Sequence, residues 1–186
     1  MTTSDLAETL SIEVPGCPLA TIRDMLRWAQ RELCTEGNAW VVRGEPVVVA
    51  ADTDYAELEA PVGAEALRIV GLLSSGRRLR PGSDYHQTGP NAVSFRSRPG
   101  QSTLYGELAC RPLPGVDMPE ELITRWAESL MDGARYRLLM LPKPWRDPQL
   151  AEFHRRKFMD AQADARSLAC DGLQHGSIRM HTRRVV

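Results

Sequence analysis

Residues 117–148 read DMPEELITRWAESLMDGARYRLLMLPKPWRDP. The fold turns on this stretch, because helical spacing returns here after about 70 residues of short β-rich runs. Asp117-Met118-Pro119-Glu120 predicts a helix start: Asp117 can cap the free amides, Pro119 needs no donor in the first turn, and Glu120 suits the positive dipole end. Ile123, Ala127, Leu130, Ala134, Leu138 and Leu141 then recur at helical steps. Gly133 inside that run costs about 1 kcal/mol relative to alanine and points to close approach of another backbone. Leu141 to Pro148 predicts a stiff turn, since its prolines would break a helix, and Asp147-Pro148 opens a third long helix running to about Cys170. Its stripe is Leu150, Phe153, Lys157, Ala161, Ala165 and Leu168, with Lys157 snorkelling and Phe158 beside it.

Upstream, Leu19, Ile22, Leu26, Ala29 and Leu33 form the apolar face of an amphipathic helix, with Pro18 at its start and Gly37 just past its end. Ser4 to Leu10 can form one or two helical turns before the Val14-Pro15-Gly16 break. Between the helical parts, Trp40–Arg43, Pro46–Ala50, Ala66–Leu73, Ala92–Arg96 and Ser102–Cys110 read as strands, Ser74-Ser75-Gly76 as a hairpin turn and Arg80 to Pro90 as loop. The expected fold is α+β. A bundle of three long helices (1–38 and 117–171) carries an inserted small antiparallel β-domain (39–116) and an extended C-terminal arm (172–186). Ile178-Arg179-Met180-His181-Thr182 in that arm alternates apolar and polar side chains, the pattern of a strand that adds to a sheet edge.

The 186 residues balance 23 bases against 24 acids, but the charge is unevenly placed. Residues 1–65 carry 12 acids and 4 bases, residues 66–100 carry 1 and 6, and residues 151–186 carry 4 and 7. Such polarity suits head-to-tail contact between identical subunits. Of the bases, 21 are arginine, which holds interface ion pairs better than lysine. No run approaches the roughly 18 apolar residues of a membrane span, and the acidic N-terminus does not read as a signal peptide. Cys17, Cys34, Cys110 and Cys170 include no CxxC pair, so they are expected to be reduced thiols of a protein assembled in the cytoplasm.

Little in the sequence has the spacing of a reaction centre. Asp84 and His86, beside Ser83, are the residue types of a small hydrolase, but sequence neighbours do not supply a triad's geometry and no GxSxG elbow is present. His154 has no HExxH partner, and Cys170, His175 and His181 lack a fourth ligand nearby. Gly71 to Gly76 lacks the Walker pattern. Arg77, Arg78, Arg80, Arg96 and Arg98, flanked by Tyr85 and Phe95, could track a nucleic-acid backbone or pair with acids of a neighbouring copy. The expectation is therefore of no catalytic, metal or cofactor site, with a hydrolase and a nucleic-acid-binding module as alternatives. Trp28, Trp40, Trp126 and Trp145 are expected in the core.

The order of parts resembles the head-to-tail adaptors of tailed bacteriophages, a family that includes tail tubular protein A of T7-like phages and the connector proteins that close the portal. The residues that carry the resemblance are Ile22 to Cys34 in the first long helix, Ala64 to Val70 entering the β-region, Met118 to Leu122, Leu139 to Pro148, and the basic end at Arg183-Arg184. It spans about residues 14 to 186, although the stretch Gly76 to Arg98 is shorter and more basic than the polar loops often found there. The resemblance implies a virion structural protein of the neck, assembled in the host cytoplasm. It implies a ring, typically of twelve copies, under the portal protein, joined to a tail or nozzle protein, with packaged DNA passing non-specifically through the channel and no membrane partner. It places portal contacts in the arm, at Ile178, Arg179, Met180, His181, Arg183, Arg184, Val185 and Val186. The arginines from Arg77 to Arg98 would then face a neighbouring subunit or the channel.

Overall fold

A computed structural model describes residues 1–96 and 101–171 of the chain. Thr2 and Asp5 cap the first helix, α1 (Thr3–Glu13), reciprocally: the Thr2 hydroxyl accepts from the Asp5 amide, and the Asp5 carboxylate accepts from the Thr2 amide at 2.7 Å. Two of the amides that a helix start leaves free are thereby satisfied. Leu6, Ala7 and Leu10 are buried, and α1 packs on α2 (Leu19–Gly37), which buries Ile22, Leu26, Ala29, Leu33 and Cys34. The fully buried Gln30 fastens three segments: its amide nitrogen donates to the Thr3 hydroxyl at 2.9 Å, and its oxygen accepts from the Met118 amide at 2.7 Å.

Eight strands follow: β1 (Val41–Arg43), β2 (Val47–Val49), β3 (Tyr55–Glu57), β4 (Ala64–Ser74), β5 (Arg77–Arg78), β6 (Tyr85–Gln87), β7 (Ala92–Phe95) and β8 (Ser102–Pro112). In the larger, antiparallel sheet β8 is central, with β4 and then β5 on one side and β1 and β2 in succession along the other. A smaller antiparallel sheet has the order β3-β7-β6. The hairpin joining β4 to β5 turns on Ser75 and Gly76, at φ 49 and 80. Two successive positive φ values give the turn whose twist matches its strands. Helix α2 packs across β8, and Arg31 ties the two layers: it reaches the Pro112 carbonyl and, at 2.8 Å, the Glu65 carboxylate, which also accepts from Arg111. Those guanidiniums, Arg111 first, hold the Glu65 carboxyl below the usual range.

The C-terminal part contains α3 (Glu120–Arg125), α4 (Ala127–Met140) and α5 (Pro148–Asp171). Asp147 caps α5 by accepting from the amides of Gln149 and Leu150 at 3.1 and 3.0 Å. Trp145 closes the preceding turn, its indole donating to the Leu138 carbonyl at 3.2 Å.

The chain is α+β, but the expected bundle of three long helices is not what forms. There are five helices among the described residues, and the β-region makes two sheets. Residues 119–141 are not one helix. At Trp126 the backbone takes φ −107 and ψ 16, ending α3 and starting α4. Asp117 does not cap α3; its carboxylate is held by Arg27 at 2.9 Å instead. The segment read as one or two turns at Ser4 to Leu10 is a capped, buried helix. The region read as loop at Arg80 to Pro90 contains β6, which pairs with β7. On α5, the buried positions are Ala151, Phe158, Ala161 and Ala165, whereas Leu150 and Phe153 are 43% and 52% exposed and Lys157 lies over the Phe153 ring. The helix is rotated from its expected stripe because Phe158 fills the notch at Gly133 of α4. The expected arm, 172–186, lies outside the described residues.

Candidate functional site

The arginine cluster is assembled by the short β4–β5 hairpin and the β6–β7 pair. Asp84, just ahead of β6, sits at its centre. Its carboxylate accepts from the Arg80 amide at 2.8 Å and lies 3.6 Å from the Arg77 guanidinium, while its carbonyl accepts from the Arg96 amide at 3.2 Å. Arg96 in turn donates through Nε to His86 Nε2 at 2.7 Å. Arg77, Arg78, Arg80 and Arg96 are exposed, and of their guanidiniums Arg77 alone faces the half-buried Asp84 carboxylate. Arg98 lies outside the described residues.

Two sequence readings change at this corner. Tyr85 and Phe95 are 3% and 6% exposed and belong to the core, so neither offers a face on which a base could stack. Asp84 and His86 are tied to different arginines rather than to each other, and Ser83 bonds through its backbone to Arg80. What the arrangement can do is hold anionic groups, in the manner of an arginine cluster facing phosphates or carboxylates.

At the other end of β8 the structure forms a groove of about 160 Å³ that the sequence did not suggest. Asn38, Val41, Leu122, Trp126, Leu168 and Ala169 are among its lining residues. The Trp126 indole N–H is buried without a partner among the described residues. Val41 pairs with Ala109 of β8, whereas Ser74, at the start of the β4–β5 turn, pairs with Leu104. The groove and the arginine corner are thus separated by five residues of strand, about 17 Å. Helix α5 ends beside the groove, at the end opposite the arginines. The arm residues named above, Ile178 to Val186, lie outside the described residues.

A third cluster ties α1, α4 and α5. Asp132, 7% exposed, accepts from Arg135 at 3.2 Å and lies 2.7 Å from His154 Nδ1, and Arg135 makes two 2.7 Å bonds to Glu13. The Arg135 hydrogen bonds hold the Glu13 carboxyl below its ordinary value. The adjoining cavity, bounded by Leu10, Val14, Leu138 and Leu150 among others, has about 70 Å³. His154 is thus a satisfied helical histidine. Cys34 and Cys110 are fully buried, and burial pushes their thiols up to about 12 and about 11, which keeps them protonated and unreactive. Among the described residues no group of three or more His, Cys, Asp and Glu side chains could hold a metal ion, and no helix is long and apolar enough to cross a membrane.

No protein-family model matches the chain, and no curated protein matches it.

Proposed function

We propose that the chain is a head-to-tail adaptor of the tailed-phage neck, a non-catalytic virion protein that forms a ring under the portal and links it to the tail. The observation that supports this reading is the two-ended construction about β8. A charged β-corner stands at one end, and the end of α5 stands with a groove at the other. An adaptor has to offer different surfaces to different partners at its two ends, and such a division needs no reaction centre. In this reading the arm, with Arg179, Arg183 and Arg184, reaches carboxylates of the portal. The β-corner faces the tail side, a neighbouring subunit or the channel.

The test is capture by the portal ring of the same phage, scored by co-sedimentation and by added ring density in particle images. The full chain is expected to bind. Truncation after Gly172 is expected to leave a folded protein that binds portal at least tenfold more weakly, roughly the loss of one or two charge-assisted contacts. Undiminished binding by the truncated chain removes the arm from the proposal, and absence of binding by the full chain removes the adaptor reading.

A further inference from the structure

Two patches of opposite charge stand about the smaller sheet, one along its β3 edge and one at the corner where β6 meets the β4–β5 hairpin. Strand β3 is one edge, and around it Asp52, Asp54, Glu57 and Glu59 are exposed, with Glu45 exposed beside β2. No base occurs between Arg43 and Arg68. Among the described residues none of these five acids has an ion-pair partner; Glu57 accepts only an amide bond, from Asn91 at 3.1 Å. The same stretch of chain leaves apolar side chains in water: Val48 is 68% exposed, Tyr55 46%, and Val62 fully. Strand β6 is the other edge; Asp84, just ahead of it, meets Arg77 of β5 on the edge of the larger sheet, and among the described residues Arg78, Arg80 and Arg96 have no ion-pair partner.

Each patch repels itself in the isolated subunit, and the screening length of about 8 Å at physiological salt leaves neighbouring like charges in contact. Exposed apolar side chains together with charged ones are the composition of a protein interface. We propose that the occupant of each patch is the other patch on a second copy of this chain: the acidic β3 edge of one subunit docks on the arginine corner of the next. Two different surfaces make the contact heterologous, and a heterologous contact propagates from copy to copy, into a ring where its rotation closes. The inference deepens the ring-adaptor reading and rests on it for that closure.

Charge reversal tests the pairing on the full chain. One variant carries Asp54→Arg, Glu57→Arg and Glu59→Arg, and so presents two basic patches. The other carries Arg77→Glu, Arg78→Glu and Arg80→Glu, and so presents two acidic ones. Sedimentation velocity should show the unaltered chain associating at low salt and losing association as salt is raised. Each variant alone should associate at least about a hundredfold more weakly, because like charges then face each other. An equimolar mixture should regain association and contain both variants. A wild-type chain that stays monomeric at every salt concentration, a variant that associates as well as the wild type, or a mixture of variants with native circular dichroism that stays dissociated overturns the proposal. Should a triple variant melt early, the single reversals Glu59→Arg and Arg80→Glu are read in the same way. Portal capture is scored separately, so a chain that binds portal without self-pairing sinks the edge contact and leaves the adaptor reading standing.

Discussion

Gly133 lies where three helices crowd together. A Cβ placed on it would stand 2.9 Å from the Ala29 Cβ and 3.0 Å from the Phe158 ring. The sequence disclosed that something must come close, but not that the neighbours are side chains of α2 and α5 rather than backbone. In a free helix Gly133→Ala would gain about 1 kcal/mol; here the overpacking costs about 1–3 kcal/mol. The substitution is therefore expected to lower stability by about 1 kcal/mol, measurable as a shifted urea midpoint. Glu13 was equally hidden, because its partner Arg135 is far away in sequence. Its carboxyl is depressed in the folded protein relative to the ordinary value of 4.5. The stability it contributes is therefore complete above about that pH and disappears as pH falls through the lower, folded value. Thermal melting followed from pH 6 to pH 3 should show a decline that is shallower in Glu13→Gln.

Long elements announced themselves, because enough turns or alternations accumulate for periodicity to stand out. Helices α2 and α5 and strands β4 and β8 all fall at or close to their expected places. Strands β3, β5 and β6 did not, since each has two or three residues of mostly polar character and exists through its ladder partner rather than its own pattern. The break at Trp126 was also silent: the apolar spacing of residues 123–141 runs on unbroken while the backbone does not. Of the two caps expected around the helical hairpin, Asp147 serves and Asp117 does not, because Arg27 claims the latter carboxylate. Asp147→Ala should accordingly cost about 1 kcal/mol and increase hydrogen exchange in the first turn of α5. Asp117→Ala should leave exchange in α3 unchanged.

At the scale of the whole molecule, the arginine cluster was legible as composition, but its closure around Asp84 and His86 depended on the β6–β7 pairing. The groove draws on Asn38 just past α2, β1, α3, Trp126 and α5, and no local pattern can foretell a surface gathered from segments so distant in the chain. The same arrangement governs what chemical labelling can see. The side-chain amines are Lys143, in the turn between α4 and α5, and Lys157, over Phe153 on α5. The third amine, the N-terminus of Met1, is engaged by Glu120 and Thr124. Amine-directed crosslinkers applied to an assembled particle would consequently map the neighbours of the helical layer and leave the β-corner dark, whereas carboxyl-directed reagents would label the β3 edge of the free subunit and lose it in the assembled ring.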